Sequence, residues 1–100
     1  MALHILEKLH RLHDGYLKPV SVGGHNLLLL QVEGRVHLIA NSCPHLQAPL
    51  THASIEGSTI RCPAHGIEFD LISGCPLKGQ AGKLKKYSVA YQGSNIGVEL

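Results

Sequence analysis

Short apolar runs recur along the chain about every ten residues, and turn-forming residues separate them, a pattern typical of antiparallel strands in a sandwich or barrel. The expected fold class is therefore all-β. The pattern predicts these strands: Leu3–Leu6, Tyr16–Val22, Asn26–Val32, Arg35–Ile39, Thr59–Arg61, Glu68–Asp70, Lys86–Tyr91 and Asn95–Glu99.

Glycine-containing pairs mark the predicted hairpins. Gly23-Gly24 separates the second and third strands, and Glu33-Gly34 is predicted to form a two-residue loop between the third and fourth. Gln92-Gly93-Ser94 is expected to close the last hairpin. Helical spacing competes with the strand pattern only in Leu6–His13, where one short helical turn ending at Asp14-Gly15 is predicted.

The segment from Asn41 to Gly82 has little strand pattern and is rich in Cys, His, Pro and Gly. A loop region of about 40 residues inside a small domain requires a physical reason, and a bound metal cluster is a sufficient one. Cys43-Pro44-His45 and Cys62-Pro63-Ala64-His65 each place a thiol close to an imidazole. Two such pairs on two loops can converge on one centre and supply two sulfur and two nitrogen ligands. Gly66 would let the second loop turn sharply.

The order C-x-H and then C-x-x-H, at this separation, resembles the signature of Rieske iron–sulfur proteins. Phe69-Asp70, Ser73-Gly74 and the pattern Leu84-x-x-Tyr87-x-Val89 are similar to further positions of that family. The resemblance implies an antiparallel β-sandwich or barrel-like Rieske fold with a small cluster-binding loop subdomain. It also implies a single domain over residues 1–100, with the cluster-binding loops at about 41–82.

The same resemblance implies one [2Fe–2S] cluster, with Cys43 and Cys62 on the inner iron and His45 and His65 on the outer iron. Two neutral imidazoles in place of two thiolates raise the reduction potential relative to an all-cysteine cluster. A structural zinc site could be built from the same four residues, although zinc fingers favour C-x-x-C and H-x₃₋₅-H pairs over mixed Cys/His pairs.

Two further features of the resemblance concern the chemistry around the cluster. Respiratory Rieske proteins carry an additional cysteine in each loop, joined as a disulfide, and here Ala48 and Ala64 occupy those places.

High-potential relatives place a hydroxyl donor at the positions of Ile67 and Phe69, and neither residue can donate. The chain therefore resembles the bacterial oxygenase-ferredoxin branch, and a potential towards the low end of the Rieske range is expected. Cys75 is expected to be a thiol outside the ligand set, as in a reducing compartment.

The remaining polar residues are expected to be structural. Asp70 is predicted to accept hydrogen bonds that fix a loop. The other histidines are predicted at the surface or in turns: His4, His10, His13, His25, His37 and His52.

Composition narrows the classes of function. The longest apolar run, Leu27–Leu30, is far shorter than the roughly 20 residues of a membrane-spanning helix. The first residues show no secretion signal, so a cytoplasmic location is expected. The net charge of +2 comes without a basic stripe, which argues against nucleic-acid binding. Lys83, Lys85 and Lys86 are expected to be a solvated strand end.

These observations predict a soluble one-electron carrier, monomeric when free, that passes electrons from a reductase to an oxygenase or related oxidoreductase. Its partners would be those redox proteins, with no nucleic acid and no membrane. Rieske oxygenases add a mononuclear-iron domain, for which 100 residues leave no room, so no substrate turnover is expected. The alternative is a non-catalytic Rieske subunit of a larger reductase, such as the small subunit of a nitrite reductase.

Overall fold

The computed structural model describes residues 2–44, 47–64, 66–78 and 82–100. Within them the regular secondary structure is strand, apart from a single 3₁₀ turn at Leu9–Arg11. The strands, in chain order, are β1 (Leu3–Lys8), β2 (Leu17–Val22), β3 (His25–Val32), β4 (Arg35–Ala40), β5 (Ser54–Glu56), β6 (Thr59–Arg61), β7 (Glu68–Asp70), β8 (Pro76–Lys78), β9 (Lys86–Tyr87), β10 (Val89–Gln92) and β11 (Asn95–Glu99).

These strands form three antiparallel sheets. Sheet A has the order β1-β11-β10, sheet B the order β2-β3-β4-β9, and sheet C the order β5-β6-β7-β8. The all-β prediction is confirmed. The strands of sheet C lie within the predicted cluster-binding segment of about 41–82 and enclose the second cysteine motif, while the first motif directly precedes them. This sheet with its loops corresponds to the small subdomain that the resemblance implied.

The predicted strands differ from the structure in sheet C and at one crossover. The strands Ser54–Glu56 and Pro76–Lys78 were not predicted, because three residues carry too little alternation to be recognised. The predicted strand Lys86–Tyr91 is divided at Ser88, where the chain leaves sheet B and enters sheet A.

The glycine-marked hairpins are confirmed. Val22 pairs with His25 across Gly23-Gly24, and both glycines have positive φ. Glu33-Gly34 is the loop between β3 and β4, with φ values of 51° and 76°. Positive φ at both loop positions defines a type I′ turn, whose twist matches that of the strands. In the segment where helical spacing competed, β1 continues to Lys8 and only the 3₁₀ turn follows.

The core is divided into two layers by β3. Leu28 and Leu30 belong to the hydrophobic cluster that contains both motif cysteines, whereas Leu27 and Leu29 pack with Leu38 and Val98 on the opposite side. Side chains alternate between the two faces of a strand, so four consecutive buried leucines require apolar cover on both faces. Sheet B therefore lies at the centre of the molecule. The radius of gyration is 13.0 Å, the value expected of a compactly folded chain of this length. None of the described helical structure is long and apolar enough to cross a membrane.

Candidate metal centre

The first cysteine loop is closed by two backbone hydrogen bonds. The N–H of Cys43 donates to the carbonyl oxygen of Ala48 at 2.8 Å, and the N–H of Gln47 donates to the carbonyl oxygen of Cys43 at 2.6 Å. Gln47 has a φ of 57°, in the left-handed region that non-glycine residues rarely adopt. These bonds fix the cysteine at the base of a tight loop.

The second cysteine loop repeats this arrangement. The N–H of Cys62 donates to the carbonyl oxygen of Ile67 at 2.9 Å, and the N–H of Gly66 donates to that of Cys62 at 2.9 Å. Gly66 has a φ of 69°, so the left-handed residue again lies four positions after the cysteine. The two loops are therefore equivalent in backbone geometry although their sequences differ.

Both motif cysteines are fully buried and belong to the same hydrophobic cluster, which also contains Leu50, Ile60 and Phe69. Thiolate sulfur is the ligand that iron–sulfur clusters require, and burial among apolar side chains excludes water from it. The two cysteines therefore fit the sulfur half of the predicted ligand set.

The predicted nitrogen ligands, His45 and His65, lie outside the described residues. Within the described ranges, no group of three or more His, Cys, Asp and Glu side chains could hold a metal ion. The assignment of these four residues as ligands therefore stays a prediction, supported by the equivalent cysteine loops. Cys75 is a half-buried thiol in no disulfide.

Asn41 fixes the start of the first loop, a role that the sequence analysis missed. Its side-chain NH₂ donates to Thr51 Oγ1 at 2.8 Å, and its Oδ1 accepts the N–H of Leu50 at 2.7 Å. These bonds join the two ends of the segment that contains Cys43. An asparagine directly after a strand was the available signal, because its side chain can replace a backbone partner.

Asp70 fixes the turn after β7, as predicted. Its carboxylate accepts the N–H of Ile72 at 3.0 Å and the hydroxyl of Ser73 at 3.1 Å. The same Ser73 oxygen accepts the N–H of Cys75 at 3.2 Å. Gly74 follows in the left-handed region, where an added Cβ would lie 3.1 Å from the carbonyl oxygen of Leu84. Glycine at position 74 therefore suits both the left-handed backbone and the close approach of the segment that contains Leu84.

The prediction that His37 lies at the surface or in a turn is wrong. His37 is buried within β4, with 9% of its surface exposed. Burial lowers its pKa, and the charges of Lys86 and Arg35 lower it further, while Asp70 acts in the opposite direction. The sequence offered no warning, since His37 alternates with apolar neighbours as an exposed strand residue would. His10, His13, His25 and His52 are exposed, as predicted, and His4 is half-buried in β1.

With this geometry established, comparison with known proteins identifies the class. The sequence profile of the Rieske [2Fe-2S] domain matches residues 3–88. The chain belongs to the Rieske [2Fe–2S] domain family, and the resemblance found in the sequence is confirmed.

Individual relatives show which members of this family the chain is similar to. The chain is 31% identical over 93 residues to the ferredoxin component of the naphthalene 1,2-dioxygenase system of Pseudomonas aeruginosa, covering 92% of this chain and 89% of that protein. The ferredoxin of carbazole 1,9a-dioxygenase from Nocardioides aromaticivorans IC177 has the same fold, with a TM-score of 0.85 and 26% identity, over 98% of this chain and 97% of that one. Human apoptosis-inducing factor 3 is 33% identical over 63 residues, which are 63% of this chain and 10% of that protein.

Proposed function

We propose that this chain is a one-electron carrier that binds one [2Fe–2S] cluster and passes electrons from a reductase to an oxygenase. The observation that carries this proposal is the pair of equivalent loops, each with a buried cysteine at the same position. The likeness to ferredoxin components of dioxygenase systems, over most of both chains, supports the same role and both partners.

In this proposal Cys43 and Cys62 hold the inner iron, and His45 and His65 hold the outer iron. When bound, the cluster accepts and donates one electron. The protein residues supply the ligands, exclude water from the sulfurs and keep both loops rigid through their closing hydrogen bonds. The chain needs no substrate pocket for this role, and we expect no substrate turnover of its own.

The compartment and organisation follow from the same role. We place the carrier in the cytoplasm, because the Cys75 thiol, in no disulfide, agrees with a reducing environment. We take residues 1–100 as one domain that is monomeric when free, unlike a permanent subunit of a larger reductase. Gel filtration of a native extract tests this: a carrier elutes alone, whereas a subunit elutes with its enzyme.

Metal analysis tests the cluster directly. Protein purified without exposure to oxygen should be red-brown and contain two irons and two acid-labile sulfides per chain. On reduction with dithionite, the protein should take up one electron per chain and give an EPR signal. Stoichiometric zinc and no visible absorption, from cells grown with ample iron, would contradict the proposal. Replacement of His45 or His65 with Ala should lose or grossly alter the spectrum.

A further inference from the structure

The charges of this chain are segregated between the loops around the candidate centre and the rest of the molecule. Segments 41–53, 61–67 and 78–85, called here the basic loops, contain four basic residues and no acidic residue: Arg61, Lys78, Lys83 and Lys85. The other 72 residues contain seven acidic and five basic residues. The net charge of +2 therefore arises entirely from the basic loops, and the remainder of the chain is net negative.

Arg61 directs its charge towards the second cysteine loop. It pairs with Glu68 across β6 and β7, yet no ion pair joins their side chains. Instead the guanidinium lies against Gly66, where an added Cβ would meet Nη2 at 3.0 Å and Nε at 3.2 Å. Gly66 directly follows the proposed ligand His65, so this positive charge lies at the edge of the second loop.

Lys83 lies at the edge of the first loop. Its neighbour Gly82 packs against Pro44, with 3.8 Å between the position of an added Cβ and the Cβ of Pro44. Pro44 directly precedes the proposed ligand His45. Lys83 and Lys85 are both exposed, and the ammonium of Lys85 lies 5.4 Å from the centre of the Tyr87 ring.

Within the described part of the chain, no ion pair involves Arg61, Lys83 or Lys85. Both ion pairs found there involve Glu7, on β1 in sheet A. Lys86, by contrast, is engaged, because its ammonium donates to the carbonyl oxygen of Ile72 at 2.6 Å. Uncompensated charges of one sign around a redox site attract a surface of opposite sign and raise the rate of encounter.

We propose that the basic loops dock an acidic surface on a redox partner protein, with Arg61 and Lys83 contacting it on either side of the candidate centre. This inference rests on the proposed carrier function, since an electron can pass only where a partner approaches the cluster closely. The net negative remainder of the chain would disfavour approach by the same acidic surface from any other side.

The test uses the cluster-loaded protein and gold electrodes coated with carboxylate- or amine-terminated alkanethiol monolayers. The carboxylate monolayer is the probe for an acidic surface, and both electrodes are used at the same pH of about 8. At low salt we expect electron transfer about tenfold faster at the carboxylate electrode than at the amine electrode. At 1 M ionic strength, where the screening length is about 3 Å, that ratio should fall below about two.

A matched pair of variants assigns the effect to the basic loops. Lys83→Glu reverses one charge next to the first loop. At low salt it should reduce the ratio of the rate at the carboxylate electrode to the rate at the amine electrode by about threefold or more. Lys8→Glu makes the same charge change on β1, in a sheet that shares no hydrogen-bonded strand with sheet C, and should leave the ratio nearly unchanged. Unchanged visible spectra in both variants would show that the cluster is intact.

The outcomes separate this proposal from the one on which it rests. A clear one-electron signal with equal rates at both electrodes would overturn the docking proposal and leave the carrier function standing. A protein without any one-electron signal would contradict the carrier function, and this proposal with it. Binding of phosphatidylserine vesicles that Lys83→Glu abolishes, with equal rates at the electrodes, would assign the charges to a lipid surface instead.

Discussion

Two buried apolar side chains should keep the potential of the cluster low. Ile67 and Phe69 are 8% and 0% exposed, and both pack in the hydrophobic cluster that contains Cys43 and Cys62. The carbonyl of Ile67 also closes the second cysteine loop, so its side chain is fixed beside that loop. Neither side chain can donate a hydrogen bond to a sulfur of the centre. A donor would stabilise the more negative, reduced cluster more than the oxidised one, and its absence lowers the potential.

The magnitude follows from one hydrogen bond. If a hydroxyl favours the reduced state by about 1.4 kcal/mol, the potential of a one-electron couple rises by about 60 mV. Rieske centres span roughly −150 to +300 mV, and we expect the wild-type protein below about 0 mV. Phe69→Tyr adds a hydroxyl to a fully buried ring, and Ile67→Ser adds one beside the second loop. At least one of them should raise the potential by tens of millivolts.

Protein-film voltammetry near neutral pH measures these potentials, and Ile67→Ala is the matched control for Ile67→Ser. Both variants remove the same apolar bulk and open the same space, but only serine supplies a hydroxyl. A higher potential for serine than for alanine would isolate the hydrogen bond from solvent entry. Equal potentials for the two variants, together with an unchanged Phe69→Tyr protein, would refute the reasoning. A wild-type value near the top of the Rieske range would refute it as well.

Three further perturbations test the fold and the ligand assignment. Gly97→Ala would push a Cβ into the backbone carbonyl oxygen of His4, so urea denaturation should show a free energy of unfolding about 2 kcal/mol or more below that of wild type. Gly82→Ala is the control, because its added Cβ makes only an ordinary contact, and its free energy of unfolding should stay within about 0.5 kcal/mol of wild type. Cys75→Ser should leave the iron content and visible spectrum unchanged, and a bleached protein would show that the ligand assignment is wrong. His37 has a pKa lowered chiefly by burial, so its contribution to stability is present above the unfolded value of about 6.5 and lost as the pH falls below it. The free energy of unfolding in urea should therefore fall less between pH 7.5 and pH 5.5 for His37→Gln than for wild type. Equal decreases in the two proteins would contradict a role for His37 in this pH dependence.

The sequence predicted the parts of the fold in which local chemistry and tertiary structure agree. Two-residue glycine turns and alternating strands specify sheets A and B, and their hairpins were placed correctly. The break at Ser88 could not be predicted, because the alternation from Tyr87 to Tyr91 continues without interruption across it. Only the packing of sheet A beside sheet B decides where the chain changes sheets. The burial of His37 was missed for the same reason, since it depends on neighbours distant in sequence.

The candidate centre shows a subtler limit of sequence reasoning. The motifs C-x-H and C-x-x-H differ in spacing, which suggests two unlike loops, yet the backbone bonds from each cysteine are the same. Gly66 signals its left-handed conformation in the sequence, whereas Gln47 adopts that conformation without any such signal. The backbone position of each cysteine is thus fixed by the hydrogen bonds that close its loop. The motifs differ only in whether the histidine follows the cysteine by two residues or by three. The two loops therefore hold Cys43 and Cys62 in the same backbone arrangement, which the unequal spacings of the two motifs do not indicate.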